Sequence, residues 1–349
     1  MPILDRNIEK IYSKFIARKT VFIVASSVVL LLMIIFSAGV GSVKLSVGEI
    51  FHSLIRIKSD DLSNVIIWNL RLPRILMAIV AGSGLALSGA VFQAILKNPL
   101  ASPFTIGISS AAGFGAALAI IWGFGLVGSE KYFVITNAFI FALTCSFLVY
   151  GISKIRGASP ETIILTGIAL MYLFGAATSL LQYIGTQEDL QAVVYWLFGS
   201  LSRVTWAQIF VIIIISAPCC IILMKYSWDL NALLSGDEVA RALGVNVERV
   251  RIVSMILSTL ITASIICFTG IIGFICLVAP HITRMIIGPD HRFLLPSSCI
   301  VGTILLLLSD TIGRTILSPV IIPVGIITSA IGVPFFLYLL LTKKRKYWQ

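Results

Sequence analysis

The sequence predicts an all-α membrane protein: a polytopic helix bundle with about ten transmembrane helices, forming a single membrane domain over residues 1–349. Apolar residues make up 58% of the chain and charged residues only 12%, whereas about a quarter of a soluble protein's residues are charged. Uncharged stretches long enough to cross a bilayer recur along the whole sequence, and no shift in composition marks a second domain. Helices are the expected spans because lipid offers no water to open backbone groups.

The uncharged stretches give the order of the spans, since a spanning helix needs roughly 20 apolar residues. In chain order they are Thr20–Val43, Ile75–Leu96, Asn98–Ser129, Tyr132–Ser153, Thr162–Gln187, Val204–Met224, Ile252–Pro280, Phe293–Ser309 and Thr315–Thr342. The run from Ile252 continues to Ile287 and is too long for one crossing. We divide it at Gly270 and Gly273, because glycine accepts the backbone conformations of a tight turn. The prediction is therefore ten crossings.

Both termini are predicted to be cytoplasmic. An even number of crossings places them on one side, and short cytoplasmic loops carry an excess of lysine and arginine. Of the 26 lysines and arginines, 18 fall on the predicted cytoplasmic side. They include the basic residues at both ends of the chain and loop residues such as Lys97 and Arg251; the end residues are Arg6, Lys10, Lys14, Arg18, Lys19, Lys343, Lys344, Arg345 and Lys346. The net charge of +11 therefore indicates orientation in a cell membrane. Because the basic residues are spread over separate loops, the charge does not indicate a nucleic-acid partner.

Carboxylates are almost absent from the predicted spans. Asp310 is the one clear case, and Arg314 follows it at i+4, a spacing that suits a local ion pair. Carriers coupled to protons or sodium usually need acidic groups buried near the middle of the membrane. One paired aspartate near a span end argues against such coupling, although an ion-coupled secondary transporter of a small solute remains the alternative.

A polar insert, at about residues 229–250, interrupts the apolar series. Ser235 followed by Glu238 predicts a capping box, and Gly244 is a natural helix stop. The helix between them would carry an apolar face, from the i, i+3 and i+4 spacing of Val239, Ala242 and Leu243. We expect this short helix to enter a groove on a cytoplasmic partner. The alternative is an amphipathic connector that lies against its own bundle or against lipid.

No energy source or catalytic centre is evident in the chain. It contains no Gly-Lys pair and therefore no phosphate-binding loop, and it lacks His-Glu-x-x-His and Gly-x-Ser-x-Gly motifs. Its cysteines form no Cys-x-x-Cys pair, and His281 and His291 have no paired ligands in the sequence. We therefore predict a protein that is not an enzyme and that has no catalytic residue, metal site or bound cofactor of its own.

Seven segments together resemble one known family. They are Arg71–Arg74, Gly82–Gln93, Asn98–Pro103, Gly236–Gly244, Gly273–His281, Asp290–Arg292 and Pro323–Gly325. In this order they resemble the FecCD-type permeases of ABC importers for ferric siderophores, haem and cobalamin. The similarity extends from about residue 20 to residue 341, nearly the whole chain.

The resemblance implies a subunit of ten helices that works as a homodimer or as a pair of close relatives. Two cytosolic ABC ATPase subunits, which bind the ATP and magnesium, would grip the insert, and an extracytoplasmic solute-binding protein would dock outside. The coupling residues it implies are Ser235, Asp237, Glu238, Val239, Ala240, Arg241, Leu243 and Gly244. Val239 replaces an alanine of the family's coupling motif. The expected function is ATP-driven uptake of a metal chelate: a ferric siderophore or other iron complex, with haem, cobalamin and oxyanions left open.

The resemblance also implies residues for docking and gating. Arg71, Arg74 and Arg314 match positions that meet acidic residues of the binding protein, and arginine suits two-pronged contacts with carboxylates. The alternative is that these arginines reach lipid head groups or pair locally. The gate positions implied are Asn98, Leu100, Pro160 and Glu161. A well-known family member carries small hydroxyl residues where this chain has Pro160 and Glu161.

Overall fold

The computed structural model describes residues 2–41, 43, 45–55, 62–155 and 159–342, and within these ranges every regular element is a helix. The α-helices are α1 (Pro2–Gly39), α2 (Val47–Ile55), α3 (Leu62–Val65), α4 (Leu72–Ile95), α5 (Ile108–Trp122), α6 (Phe133–Ile155), α7 (Pro160–Ile184), α8 (Gln187–Leu197), α9 (Trp206–Lys225), α10 (Ser227–Leu234), α11 (Asp237–Ala242), α12 (Val247–Thr269), α13 (Ile275–Ile287), α14 (His291–Thr315) and α15 (Val324–Thr342). A π-helical turn, Ile66–Arg71, joins α3 to α4, and a 3-10 turn, Glu130–Tyr132, precedes α6.

The apolar helices confirm the predicted fold class and agree with the predicted number of spans. Among the described residues, seven helical segments are long and apolar enough to cross a membrane, in α1, α3–α4, α6, α7, α9, α12 and α14. Three shorter apolar helices, α5, α13 and α15, bring the total to ten. The basic residues 343–346 and the side chains of Arg6, Lys10 and Lys14, which entered the orientation argument, lie outside what the structure describes.

Two predicted spans are shorter than the sequence indicated. The stretch Asn98–Ser129 is helical only from Ile108 to Trp122, because Gly107 and Gly123 both adopt left-handed backbone conformations that bound the helix. The last span begins at Val324 rather than Thr315, after a segment that contains two prolines. The predicted break in the longest run is confirmed, since α12 ends at Thr269 and Gly270 has φ +70°.

Helix α4 lies at the centre of the bundle and is buried along nearly its whole length. Its glycines permit backbone contact with its neighbours, as close helix association in lipid requires. A Cβ on Gly82 would lie 2.7 Å from Thr303 Cα in α14, and one on Gly89 would lie 1.8 Å from the carbonyl oxygen of Cys276 in α13. Because α4 runs through the bundle, it joins Arg71 and Arg74 at one end to Lys97 at the other. We call these the Arg71 end and the Lys97 end.

Candidate functional site

The insert folds as two short helices, α10 and α11, at the Lys97 end. The predicted capping box is wrong: Ser235 is the C-cap of α10, and α11 starts at Asp237 without a side-chain cap. The reason is Gly236, which lies between the two helices with a φ of +112°. Gly236 is the N-cap of α11, so Glu238 takes the second helical position instead of the third that a capping box needs. The predicted stop is confirmed, because Gly244 has φ +85° and its N–H bonds to the Arg241 carbonyl at 2.9 Å.

The apolar face predicted for this short helix points away from the bundle. Val239 is 47% exposed and Leu243 is 68% exposed, while Ala240 between them is fully buried. Ala242 is also exposed. The alternative in which this face lies against its own bundle is therefore wrong. Glu238 and Arg241 are exposed as well, so the outer surface of α11 is both apolar and charged. The one buried residue of this helix is Ala240.

Asp237, the first residue of α11, forms ion pairs with Lys97, just beyond the end of α4, and with Arg251 in α12. Lys97 Nζ lies 2.6 Å from Asp237 Oδ1, and Arg251 Nη2 lies 3.1 Å from Oδ2. Arg251 also donates from Nε to the carbonyl of Ile95, the last residue of α4, at 3.1 Å. Burial raises the pKa of the Asp237 carboxyl, but the hydrogen bonds and charges of Lys97 and Arg251 outweigh it and hold the pKa below its usual value. The carboxylate is therefore charged at neutral pH.

The residues implied as a gate lie on two neighbouring segments at this end. Asn98 Oδ1 accepts a hydrogen bond from the N–H of Leu100 at 2.9 Å, and Leu100 is 43% exposed. Pro160 opens α7 and exposed Glu161 follows it, with Ser159 as the N-cap. Lys97, which directly precedes Asn98, pairs with Asp237, so an ion pair links the Asn98 segment to one of the predicted coupling residues. Their gating role stays a prediction.

The three predicted docking arginines come together at the Arg71 end, in internal contacts. Arg74 Nε donates to Asp310 Oδ1 at 2.7 Å. Arg314 Nε lies 3.1 Å from Oδ2, close enough for the ion pair expected from the i+4 spacing, although its N–H is not aligned for a hydrogen bond. Arg71 donates to the carbonyls of Ala38 and Val43. The arginine side chains thus hold the chain that leaves α1.

These arginines also line a cavity of about 320 Å³. Arg314 donates to the carbonyls of Ser37 and Val40 at 3.1 and 3.0 Å. Carbonyls satisfy the N–H groups but do not neutralise them. Among the described residues, the only carboxylate in salt-bridge contact with any of these three guanidinium groups is Asp310, which pairs with Arg74 and Arg314 and leaves Arg71 without a carboxylate. The cavity wall therefore keeps a positive charge. Docking at these arginines stays a prediction.

Comparison with known proteins decides the family. The sequence profile of the FecCD transport family matches residues 29–342. This chain belongs to the FecCD transport family. It is 45% identical to a protein of Methanocaldococcus jannaschii named as an ABC transporter permease, over 95% of this chain and 96% of the relative.

Further relatives of this FecCD permease carry the names of their cargoes. The hemin transport system permease protein of Yersinia pestis is 37% identical, over 91% of this chain and 95% of its own. The molybdate import system permease protein of Haemophilus influenzae is 38% identical, with the same coverage. A solved structure of a metal-chelate type ABC transporter in an inward-facing conformation matches 92% of this chain with 36% identity and a TM-score of 0.81, and it is itself covered to 99%.

Family membership makes the FecCD permease a translocation subunit of an ABC transporter and a multi-pass membrane protein. It also favours this function over the ion-coupled secondary transporter. The fold class and the family expected from the sequence motifs are confirmed.

Sequence reasoning missed the partners of the coupling and gate residues in this permease. From the sequence, Lys97 and Arg251 are only two of the basic residues assigned to the cytoplasmic side. Their position at the same end of the bundle as the insert was the available signal. Which carboxylate they contact depends on how α4, α11 and α12 pack, and that packing is not encoded in local spacing.

A second charged cluster at the Lys97 end was also missed. Asp290 accepts hydrogen bonds from Lys19 at 3.2 Å, from Asn231 at 2.9 Å and from Arg292 at 2.7 Å. It therefore links α1, α10 and the start of α14. Burial raises the pKa of the Asp290 carboxyl, but the hydrogen bonds from Arg292, Asn231 and Lys19 outweigh it, so the pKa lies well below its usual value.

Proposed function

We propose that this FecCD permease is the membrane-spanning subunit of an ATP-driven importer that takes up a metal chelate. The first candidate cargo is a ferric siderophore or another iron complex, and haem and cobalamin are the next. The observation that carries the proposal is end-to-end similarity to a hemin permease and to a metal-chelate type transporter. The molybdate relative makes an oxyanion the principal competing cargo.

We propose that α11 is the contact with the ATPase. Val239 and Leu243 expose apolar side chains on a six-residue helix that is too short and too polar to lie in a membrane span. A groove on a cytosolic ABC ATPase would bury these side chains, a burial that favours association. In a complex of two permease copies, most simply a homodimer, two ATPase subunits would each take one α11. They would bind the ATP and magnesium, and this chain would bind no cofactor.

The Arg71 end is proposed to meet the solute-binding protein. Three arginines line the cavity there, and Asp310 pairs with two of them, so an acidic side chain from the binding protein would find unbalanced positive charge. Charge complementarity of this kind steers association and selects partners. With α11 facing the ATPase, the Lys97 end is cytoplasmic and the Arg71 end faces outward. Both termini would then be cytoplasmic, in the cell membrane.

The proposal is tested in proteoliposomes that contain the permease with its cognate ATPase, in the presence of its cognate binding protein. Five compounds are offered, each labelled with a radioisotope of its own metal: ferric citrate, ferrichrome, hemin, cyanocobalamin and molybdate. Their accumulation is measured with and without ATP. We expect ATP-dependent accumulation of an iron complex. Accumulation of molybdate alone would overturn the cargo, and accumulation driven by a proton or sodium gradient without ATP would overturn the energy source.

A further inference from the structure

We infer that Asp237, Lys97 and Arg251 form a rigid joint that makes α11 and the segment after α4 move as one body. We call these three residues the α11 joint. The inference rests on the proposed function, because it concerns how a displacement of α11 by the ATPase reaches the residues predicted to gate the pathway. Lys97 and Arg251 are positioning residues in this scheme.

The geometry closes a loop of contacts around one carboxylate. Asp237 Oδ1 meets Lys97 Nζ at 2.6 Å, and Arg251 Nη2 meets Oδ1 and Oδ2 at 3.2 and 3.1 Å. The same guanidinium holds the Ile95 carbonyl through Nε at 3.1 Å. Arg251 therefore bonds to α11 and to the last residue of α4 at the same time. Charge-assisted bonds of this kind are stronger than neutral ones.

The backbone of Lys97 is a second, independent observation. Lys97 has φ +48° and lies just beyond the end of α4. The N–H of Lys97 bonds to Ala94 O at 3.2 Å, and that of Asn98 bonds to Gln93 O at 3.1 Å, which is the pattern of a helix end that normally uses glycine. A lysine with a left-handed backbone is less favourable there than glycine. Its ion pair with Asp237 gives a reason for a lysine at this place.

Without the joint, little would hold α11 to the bundle. The helix has six residues and lies between Gly236 and Gly244, both with positive φ. A helix this short is not stable on its own. Ala240 is its buried anchor, and it supplies only a methyl group. Force applied at exposed Val239 and Leu243 would therefore rotate α11 locally unless Asp237 transmitted it.

The segment that receives the force carries Asn98 and Leu100. Lys97 precedes Asn98 directly, and the Asn98 side chain holds the N–H of Leu100 at 2.9 Å. A displacement of Asp237 therefore reaches Leu100 through one ion pair and one local turn. Coupling between two sites requires such a differential contact, and it acts equally in both directions.

The first test measures how strongly the binding protein stimulates ATP hydrolysis by the complete transporter. Lys97→Gly removes the ion pair but suits the left-handed backbone, and Lys97→Met removes only the charge. We expect both to assemble and to keep basal ATP hydrolysis, while the stimulation falls roughly five- to tenfold. The control is Lys154→Met, which removes a lysine that lies over the Tyr150 ring at another helix end. Full stimulation in Lys97→Gly would overturn the joint.

The second test replaces the ion pair by a covalent link. In Lys97→Cys/Asp237→Cys, a short bismaleimide bridges the two positions, and the wild type treated with the same reagent controls for the native cysteines. A rigid joint predicts that the bridge restores the stimulation that the untreated double variant has lost. Continued loss after bridging would show that the contact must open during the cycle and would overturn rigidity. Both tests are independent of the cargo. If the binding protein stimulates ATP hydrolysis but no iron complex is taken up, the proposed cargo is wrong. The α11 joint is then still tested by the stimulation measured in the variants.

Discussion

Arg74 in α4 donates a hydrogen bond to Asp310 in α14 across 2.7 Å, with the carboxylate almost completely buried. Arg314 holds the other oxygen of the same carboxylate at 3.1 Å. The aspartate that could have suggested ion coupling is therefore occupied by two internal cations. Its position indicates a structural role.

Removing this carboxylate is expected to destabilise the protein. Asp310→Ala would leave two buried guanidinium groups without a counter-ion, and breaking a buried pair in this way costs about 3–5 kcal/mol. Thermal unfolding in detergent measures the effect, with Glu188→Ala at an exposed position as the control. An Asp310→Ala protein as stable as the wild type would contradict this role for the aspartate.

The exposed face of α11 gives a prediction about assembly. Leu243 is 68% exposed, so Leu243→Asp should leave the permease folded while it weakens binding of the ATPase. Leu243→Met keeps an apolar side chain and serves as the matched control. Co-purification of the ATPase with each variant is the measurement. Equal ATPase recovery with the aspartate variant would place the ATPase contact elsewhere.

The cavity at the Arg71 end gives a prediction about docking. Arg71→Lys keeps the charge but loses the forked contacts with Ala38 and Val43, whereas Arg71→Gln loses both. If unbalanced charge attracts the binding protein, its affinity should fall more with glutamine than with lysine. The expected difference is about 1.5–3 kcal/mol, the range of a hydrogen bond to a charged group. Surface plasmon resonance at low and high salt measures it, and equal affinities would exclude an electrostatic role for Arg71.

The Asp290 cluster gives a prediction about acid stability. A carboxyl whose pKa is depressed by folding contributes stability above its unfolded pKa of about 4. That contribution is lost as the pH falls through the lower folded pKa. Asp290→Asn should therefore be less stable than the wild type at neutral pH, and the difference should shrink as the pH drops below about 4. Melting temperatures across this range test it, and parallel curves for the two proteins would contradict it.

Much of the fold could be predicted because its signals are local. Uncharged length identifies the spans, and Gly270 allows the longest run to be divided at the correct place, since a turn there requires a positive φ. The same local reasoning failed at Ser235. Ser235 and Glu238 have the spacing of a capping box, but Gly236 separates two helices and Ser235 belongs to the end of the first. Sequence spacing alone cannot show to which of the two helices the serine belongs.

The candidate site could be predicted only in part. The insert was recognisable from its polarity and from the family's coupling pattern. The contacts of Lys97 and Arg251 with Asp237, and those of Arg74 with Asp310, join residues far apart in the sequence, and they depend on the packing of α4 against α12 and α14. The ion-pair partner of a charged residue near a span end becomes known only when the packing of the helices is known.

The most direct test of ATP-driven import through α11 is accumulation of a ferric complex in proteoliposomes that contain the complete transporter. We predict that ATP drives uptake with the wild type and with Leu243→Met, and that Leu243→Asp abolishes it although the permease remains folded. Undiminished ATP-driven uptake by Leu243→Asp, or accumulation by the permease alone, would contradict the proposed mechanism.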